Sequence, residues 1–254
     1  MKSTFRNFTI LLLLSSFHIN TVTSQVVDWI SPITATSYVS SHGVAYDQFD
    51  NSFSVGQFID TITAGANTYI SAGLQDELIT KYDASGNLVW ATSVGGTDSD
   101  WAGDIIYDGL GNVWVTGKTD GDFTAGTFNL TSNGVRDAYI VKLDASTGAV
   151  LFAASGGGGS DDTGIDISVD GTGNIYLTGS YRSANFSWGG LTVPPAIGYT
   201  DTYVLKFNNA GTPLWIATIT GNDTENPHCA IVDAAGNCYI GGSTSSTSTD
   251  FNGT

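Results

Sequence analysis

The sequence predicts an all-β fold assembled from repeated four-stranded antiparallel units, and three observations support this prediction. The stretch VDGTGNIYLTG at positions 169–179 has counterparts that begin at Tyr46, Tyr107 and Val232. Each period contains four short segments rich in Val, Ile, Leu, Tyr and Trp, separated by Gly, Asn, Asp and Ser clusters, and none has a helical pattern. The asparagines of the motif are spaced by 61, 62 and 63 residues and are Asn51, Asn112, Asn174 and Asn237.

The second period shows how the four segments divide into strands. We predict strands A to D at positions 103–108, 112–118, 137–144 and 149–155, each bounded by turn residues. Four antiparallel strands in each period of about 62 residues describe one blade of a β-propeller. The predicted blades are 37–96, 97–158 and 159–221, followed by a partial fourth blade at 222–254.

A further strand is predicted before the first blade. Residues 25–36 place Trp29 61 positions before Trp90, the aromatic residue of a strand D. In a closed propeller such a strand completes the last blade, and here the fourth period offers only strands A and B. We therefore expect three complete blades, a partial fourth and an orphan strand in an incomplete ring, with the remainder of a longer chain as its partner. The alternative is an open arc that associates with another chain.

The N-terminus has the features of a secretory signal. Lys2 and Arg6 precede the apolar run from Ile10 to Leu14, and small residues follow up to Ser24, where we expect cleavage. This run is too short to span a bilayer, and no later stretch approaches the length of a transmembrane segment. Residues 1–24 are thus predicted to be a signal peptide, and the mature chain is expected to be secreted or displayed at the cell surface.

The charge of the chain argues against two classes of partner. The formal net charge is −16, and removal of a leader that holds Lys2 and Arg6 but no carboxylate takes it to −18. A field of this sign repels nucleic acid and anionic membrane surfaces and attracts cations. Neither nucleic acid nor an anionic membrane surface is therefore an expected partner.

Two cysteines, Cys229 and Cys238, flank one predicted turn. The expected hairpin register does not place their sulfur atoms opposite each other, although an exported protein can form disulfides. We predict two buried free thiols.

The motifs of the second and third periods resemble a known repeat. YDGLGNVWVTG from Tyr107 and VDGTGNIYLTG from Val169 share the pattern D-x-x-G-N-[VI]-[YW]-[VL]-T-G, and Asp137 and Asp201 begin D-x-Y-[IV]-x-K. Followed by an aromatic-centred strand, this pattern is similar to the SBBP-type β-propeller repeat of secreted bacterial proteins. The resemblance implies a propeller within an exported and often multi-domain bacterial protein, and it does not imply an enzyme.

Acidic residues recur where strand D of one blade leads to strand A of the next. Because successive strands run antiparallel, these D-to-A links and the B-to-C connections emerge on one side of the blades, which we call the link face. Two interpretations stand: the carboxylates hold structural Ca²⁺ between blades, or they accept backbone N–H bonds in tight Gly-rich links. No other cofactor is expected. The candidate metal ligands are Asp98, Asp100, Asp104, Asp161, Asp162, Asp166, Asp223 and Glu225.

Aromatic residues are concentrated in the long B-to-C connections. They are candidates to stack on a sugar or peptide ligand, but several recur from blade to blade, which instead favours a small added hairpin that packs on the blade. Trp188 occurs only in the third period and is the better candidate for specificity. The candidate ligand-binding residues are Phe123, Phe128, Phe186, Trp188 and Tyr199.

The sequence offers no recognisable catalytic machinery. It contains no G-x-S-x-G elbow and no H-E-x-x-H motif, and only two histidines remain after removal of the leader. The first hypothesis is therefore a non-enzymatic exported propeller that acts as a scaffold or binding module for a protein or polysaccharide, as part of a larger protein. The alternatives are a Ca²⁺-stabilised adhesion or polysaccharide-binding module, and the propeller part of a secreted lyase or glycosidase whose catalytic residues lie elsewhere.

Overall fold

The computed structural model describes residues 33–253, and every regular element in that range is a β-strand. The strands form four consecutive repeats, of which repeats 1 to 3 contain strands A to D and repeat 4 contains strands A and B. The predicted all-β class and antiparallel repeats are thus confirmed, whereas the described residues do not close a ring. The predicted signal peptide and Trp29 of the predicted orphan strand lie outside the described residues.

Each repeat begins with two antiparallel strands joined by a tight turn. In repeat 3 the Asp170 carboxylate accepts the backbone N–H groups of Thr172 at 2.9 Å and Asn174 at 3.0 Å, and Gly173 takes a φ of 83°. Strand A is β2 (Val39–Tyr46), β8 (Asp100–Tyr107), β14 (Asp162–Val169) and β20 (Glu225–Val232). Strand B is β3 (Ser52–Phe58), β9 (Asn112–Thr119), β15 (Ile175–Tyr181) and β21 (Cys238–Thr244).

Strands C and D complete the sheet in repeats 1 to 3. Strand B pairs with strand C and strand C pairs with strand D, so that each sheet has the order A-B-C-D. Successive strands A contact one another, as the inner strands of a propeller do. Strand C is β6 (Asp76–Tyr82), β12 (Asp137–Asp144) and β18 (Asp201–Phe207). Strand D is β7 (Leu88–Gly96), β13 (Val150–Gly156) and β19 (Pro213–Gly221).

A small hairpin lies between strands B and C, as the recurring aromatic residues suggested. It pairs with strand D of the preceding repeat: Phe123 lies opposite Gly96, Ser187 bridges Gly157, and the fourth repeat adds its strand to β19. Each hairpin therefore covers part of the outer edge of the repeat before it. The strands are β4 (Thr61–Ala64) and β5 (Asn67–Ile70), β10 (Phe123–Ala125) and β11 (Phe128–Leu130), β16 (Ser187–Trp188) and β17 (Leu191–Thr192), and β22 (Thr249–Gly253).

The end of the predicted orphan strand occupies the position of a strand D. Strand β1 (Thr34–Ala35) pairs with β4, with Ala35 opposite Ile62. Gly96 of repeat 1 pairs in the same way with Phe123 of repeat 2. Gly96 lies 61 residues after Ala35, and Phe123 lies 61 residues after Ile62. The predicted phase of the repeat is therefore correct for this end of the segment.

Strand A starts earlier than the sequence predicted. In repeat 2 it begins at Asp100 rather than at position 103, because a β-bulge between Ala102 and Asp104 lets the polar first residues pair with strand B. The same irregularity follows Ser41 and Gly164. The D-to-A links are correspondingly shorter than the predicted ones.

The aromatic residue of strand D packs against the following repeat. The Trp90 indole is buried, and its Nε1 donates a hydrogen bond to the Ala145 carbonyl at 3.1 Å. Gly148, with a φ of 74°, lies where a Cβ atom would collide with the Trp90 ring. In the next pair of repeats Gly211 lies in the same way against Phe152. This confirms the core role that the recurrence of these rings indicated.

The lysine of strand C binds the same turn of the following repeat. Lys81 Nζ donates to the Ala145 carbonyl at 2.9 Å, and Lys142 Nζ donates to the Asn209 carbonyl at 2.6 Å. Ala145 and Asn209 are equivalent residues of the turn between strands C and D. Each lysine therefore joins neighbouring repeats through a charge-assisted hydrogen bond.

The cysteines are free, as predicted, but they are not both buried. Cys229 is exposed and Cys238 is half-buried. Val232 pairs with Cys238 and Cys229 pairs with Gly241, so the sulfur atoms do not face each other across the hairpin. The burial was predicted wrongly because, within the described residues, strand β21 has no neighbour on its second edge.

We expect Trp90→Ala to lower the free energy of unfolding by about 3 kcal/mol, because it opens a cavity between repeats 1 and 2 and removes a hydrogen bond to Ala145. Urea denaturation followed by circular dichroism measures this change. Leu110→Ala is the control, since Leu110 is 63% exposed in a turn and its truncation should cost less than about 0.5 kcal/mol. Equal losses in the two variants would contradict a packing role for Trp90.

Candidate functional site

The link face carries most residues that the sequence marked as functional. It is formed by the D-to-A links 97–99, 157–161 and 222–224 and by the B-to-C connections 59–75, 120–136 and 182–200. The opposite side, which we call the turn face, carries the repeated Asp-to-Asn turns. Within residues 33–253 there is no helix long and apolar enough to cross a bilayer.

The predicted metal ligands separate into three groups that differ in position and burial. Asp98, Asp161 and Asp223 remain in the links and are exposed or half-buried. The first residue of strand A is a buried acid at each junction, and a third group lies further along strands β8 and β14. The second group is Asp100, Asp162 and Glu225, and the third group is Asp104 and Asp166. Among the described residues, no three His, Cys, Asp or Glu side chains form a group that could hold a metal ion.

Two of the acids that begin strand A, Asp100 and Asp162, hold the preceding link in place. Asp100 accepts the backbone N–H of Gly96 at 2.6 Å, and Asp162 accepts that of Gly158 at 2.7 Å. Asp162 also accepts the Ser183 hydroxyl at 2.6 Å. These contacts give the carboxylates the structural role that was one of the two interpretations of the acidic links.

A second buried acid from strand C accompanies each of these residues. Asp76, Asp137 and Asp201 begin strand C and accept the backbone N–H of the residue four positions earlier. Asp76 Oδ1 and Asp100 Oδ1 are both buried without a hydrogen-bond partner. Each junction therefore encloses at least two carboxyl groups, and the first junction also encloses the buried Glu77 carboxyl.

Burial is the main cause of unusual ionisation at these junctions. It raises the pKa of Asp100 to about 6 and that of Asp162 to about 6, although hydrogen bonds to each carboxylate oppose the shift. Burial also raises the pKa of Asp76 and of Asp201, and the nearby Glu225 carboxyl adds to the shift at Asp201. The folded protein therefore favours protonated carboxyl groups between its repeats.

Asp104 and Asp166 face each other on the inner strands. Burial, and then a hydrogen bond between the two carboxyl groups, raises the pKa of Asp104 well above its usual range. Asp166 Oδ2 also accepts the backbone N–H of Ala230 in the next repeat. The pair lines a cleft of about 550 Å³ together with Tyr46 and other residues of strand A. The contacts again join repeats to one another.

Most of the predicted ligand-binding aromatics lie in the core. Phe123 stacks on Tyr139 with ring centroids 4.5 Å apart, and Phe186 lies 4.8 Å from Tyr203. Both phenylalanines are buried, and Phe128 is half-buried with its ring edge against a strand D aromatic.

Trp188 also differs from its predicted role. It is buried and lies edge-on to Phe207 at 5.6 Å, which corrects its assignment as a specificity residue, because a ligand cannot reach the ring. Tyr199 alone among the predicted aromatics is well exposed, and the Arg182 guanidinium lies 4.3 Å from its ring centroid.

A cluster of cations around Trp101 was missed by the sequence analysis. Lys118 Nζ and the Arg136 guanidinium lie 4.9 Å and 5.2 Å from the indole centroid. Burial, and then the charge of Arg136, lowers the pKa of Lys118. Arg136 forms an ion pair with Asp120 at 2.6 Å. We call Trp101, Lys118 and Arg136 the basic triad.

The basic triad occupies positions at which the repeats differ from one another. Trp101 lies opposite Lys118 on strands A and B, and Arg136 precedes strand C. Ser40 pairs with Gln57 and Thr163 pairs with Ser180 at the same places. The equivalent triads are Ser40, Gln57 and Gln75 in repeat 1 and Thr163, Ser180 and Thr200 in repeat 3.

The turn face keeps one hydrogen-bonded pair of residues in every repeat. Each of its four A-to-B turns has an aspartate that accepts the backbone N–H of an asparagine four residues later. A comparison of the repeats position by position would have found the triad, because three of the chain's lysines occupy one repeated position whereas Lys118 and Arg136 do not. The search for known motifs missed it because no motif describes a departure from a repeat.

Comparisons with known proteins agree with a repeat β-structure. No protein-family model matches the chain. An uncharacterized WD repeat-containing protein, L264, of Acanthamoeba polyphaga mimivirus is 27% identical over 190 residues, which are 64% of this chain and 13% of that protein. The regulatory protein FlaEY of Caulobacter vibrioides is 26% identical over 144 residues, which are 56% of this chain and 15% of that protein. The chain thus matches only a small part of each of these longer relatives.

We expect stability to fall as the pH rises from about 4 to about 7. An unfolded Asp has a pKa of about 3.9, so the folded protein retains protons at Asp100 and Asp162 that the unfolded chain releases in this range. The contribution of each group is fully present below about pH 4 and is lost as the pH rises through about 6, with a magnitude of about 3 kcal/mol. Urea denaturation at a series of pH values measures how the free energy of unfolding changes with pH.

Asp100→Asn should flatten this pH dependence and stabilise the protein at about pH 7, because an amide oxygen still accepts the Gly96 N–H but carries no charge. Asp170→Asn is the matched control. Although burial opposes the shift, hydrogen bonds from Asn174 and Thr172 lower the pKa of Asp170, so this variant should be destabilised at the same pH. A wild-type slope of the opposite sign would contradict the assigned protonation of the junctions.

Proposed function

We propose that the chain is a non-enzymatic, propeller-type binding module of an exported protein, and that it binds a partner on the link face at the basic triad. The single observation that carries the proposal is the difference between the repeats at this place. The strand C lysine and the Asp-to-Asn pair of the A-to-B turn keep the same chemistry from repeat to repeat, whereas the triad positions do not. A difference that packing does not require is expected where a repeat protein contacts its ligand.

The chemistry of the triad suits a binding surface. Tryptophan and arginine are the residue types that most often dominate the energy of protein interfaces, and Trp101 is held between strand B and the start of strand C. Lys118 has a cation–π contact with Trp101, and none of the described residues forms an ion pair or a hydrogen bond with its ammonium group. A ligand carboxylate would supply the missing counter-charge.

The charge distribution supports a partner with a local acidic group. Six basic residues follow the predicted leader, and three of them are the strand C lysines, of which Lys81 and Lys142 join neighbouring repeats and Lys206 binds Asp170 within its own repeat. The other three, Lys118, Arg136 and Arg182, all lie near one another on the link face, since Arg136 and Arg182 both affect the ionisation of Lys118. Because the chain is acidic overall, a single carboxylate suits this surface better than a dense polyanion.

Similarity to a WD repeat-containing protein supports a protein partner, since repeated β-sheet blades provide broad surfaces for protein binding. The basic N-terminus followed by an apolar run supports export of the module. A polysaccharide partner would instead contact the exposed Tyr199 ring beside Arg182.

The test compares the wild-type chain with a variant in which repeat 2 takes the triad of repeat 3. Trp101→Thr, Lys118→Ser and Arg136→Thr introduce residues that the same fold already accommodates at Thr163, Ser180 and Thr200. Both proteins are applied to arrays of acidic and neutral peptides and of acidic and neutral polysaccharides. We expect acidic peptides to bind the wild type and to lose about tenfold or more in affinity for the variant.

Leu110→Ala on the turn face serves as the control and should leave binding unchanged. Unaltered melting temperatures would show that the triad variant remains folded. The proposal is wrong if no array member binds the wild type, or if those that bind do not distinguish it from the triad variant. Binding of polysaccharides but not of peptides would contradict the proposal of a protein partner.

A further inference from the structure

The second edge of strand β21 differs from the same edge in the other repeats. Strands β3, β9 and β15 each pair with strand C on that edge, whereas β20 and β21 form a two-stranded sheet in the described residues. Strands β9 and β15 are almost wholly buried, but most of β21 is exposed. An unpaired strand edge of this kind is a template for another strand.

Phe251 shows what is missing from this surface. It is 76% exposed, whereas its counterparts Phe123 and Phe186 are 1% and 0% exposed. Those two rings are covered by Tyr139 and Tyr203, the tyrosines of strand C in their own repeats. Among residues 33–253, no strand C tyrosine lies beside Phe251, which accounts for the exposure of its ring.

An apolar cavity lies between this edge and repeat 3. Its volume is about 370 Å³, and Val204, Trp215, Cys238, Ile240 and Phe251 contribute to its walls. One repeat earlier, the equivalent space is filled by Tyr203, Leu205 and Phe207 of strand C, which belong to the core shared with repeat 2. The cavity thus has the position and the lining of a site for alternating apolar residues of a strand.

Lys206 provides a third and independent indication. Lys81 and Lys142 each donate to a carbonyl in the turn between strands C and D of the following repeat. Lys206 occupies the same position in repeat 3, and its hydrogen bonds go to Tyr176 at 2.6 Å and Asp170 at 3.2 Å within its own repeat. A turn of the same type placed next to repeat 3 would offer it the carbonyl that the other two lysines bind.

We propose that the edge of β21, the cavity and Phe251 form the docking site of a strand C–strand D hairpin supplied by a further repeat of this type. Binding adds a strand to β21 through backbone hydrogen bonds, while alternate side chains enter the cavity. The tyrosine of a D-x-Y motif stacks on Phe251, and the hairpin turn accepts a hydrogen bond from Lys206. The proposal concerns the edge of the arc and is independent of ligand binding at the basic triad.

A second copy of the chain is the rival occupant. Repeat 1 has an open face of its own, because Val44 is 73% exposed whereas its counterparts Ile105 and Ile167 are 3% exposed. The contacts proposed for Phe251 and Lys206 favour the hairpin, because they require a strand C tyrosine and a C-to-D turn. A second copy would instead present strand β2 of repeat 1, which is a strand A. Head-to-tail association of the two open faces is therefore an outcome that the test must detect.

The probe is a synthetic peptide with the sequence of residues 199–221, which form strands C and D of repeat 3. The control peptide carries Tyr203→Ser, Leu205→Ser and Phe207→Ser and keeps the same length and turn. Alkylation of cysteine, followed by mass spectrometry, reports docking, because Cys238 lines the cavity while Cys229 does not. Cys229 is thus an internal control in the same molecule.

We expect the peptide at saturation to slow alkylation of Cys238 by about tenfold or more and to leave Cys229 unchanged. The control peptide should have no effect, and Phe251→Ser in the chain should weaken the protection. Equal effects of both peptides, or no protection of Cys238, would overturn the proposal. Protection of Cys238 that grows with protein concentration in the absence of peptide would assign the surface to a second copy instead.

Discussion

The contact between the strand D aromatic and the next repeat's C-to-D turn is the interaction on which the rest of the structure depends. A single four-stranded sheet of this size leaves both faces exposed, and it is stable only when neighbouring repeats cover them. Trp90 covers the turn of repeat 2, and Lys81 binds the carbonyl of Ala145 in the same turn. Because the turn must reach both residues at once, the length of the repeat and the glycine at Gly148 are tightly constrained.

This constraint explains how the protein tolerates its many acidic residues. Several of the carboxylates hold links or turns by accepting backbone N–H groups, as Asp100 does from Gly96 and Asp170 does from Asn174. The two places differ in electrostatics, because hydrogen bonds stabilise a turn aspartate such as Asp170 as an anion, whereas burial raises the pKa of Asp100 between the repeats. The acidity of the chain is thus largely a consequence of its architecture, and its binding chemistry has to be sought elsewhere.

The turn face and the link face also differ in which of their residues recur from repeat to repeat. The turn face keeps one aspartate-to-asparagine device in all four repeats, which is a structural requirement. The link face keeps its buried acids but varies the residues above them, from Gln57 to Lys118 to Ser180. A repeated scaffold can vary an outward-facing position of this kind with less effect on stability than a position that neighbouring repeats use for packing. The basic triad lies at such positions on the link face.

The sequence by itself determined the all-β class, the phase of the repeat, the strands and the turn chemistry, because spacing and turn residues act locally and recur in each period. It also identified the rings of strand D as core. Only the tertiary structure decided that Trp188 is buried, that Asp100 belongs to a strand, and that Trp101, Lys118 and Arg136 meet on one face. These outcomes depend on contacts between residues that are distant in the chain and on a bulge in strand A that shifts its register. Periodicity predicts which residues are equivalent, but it does not show which equivalent positions face a neighbouring repeat and which face solvent.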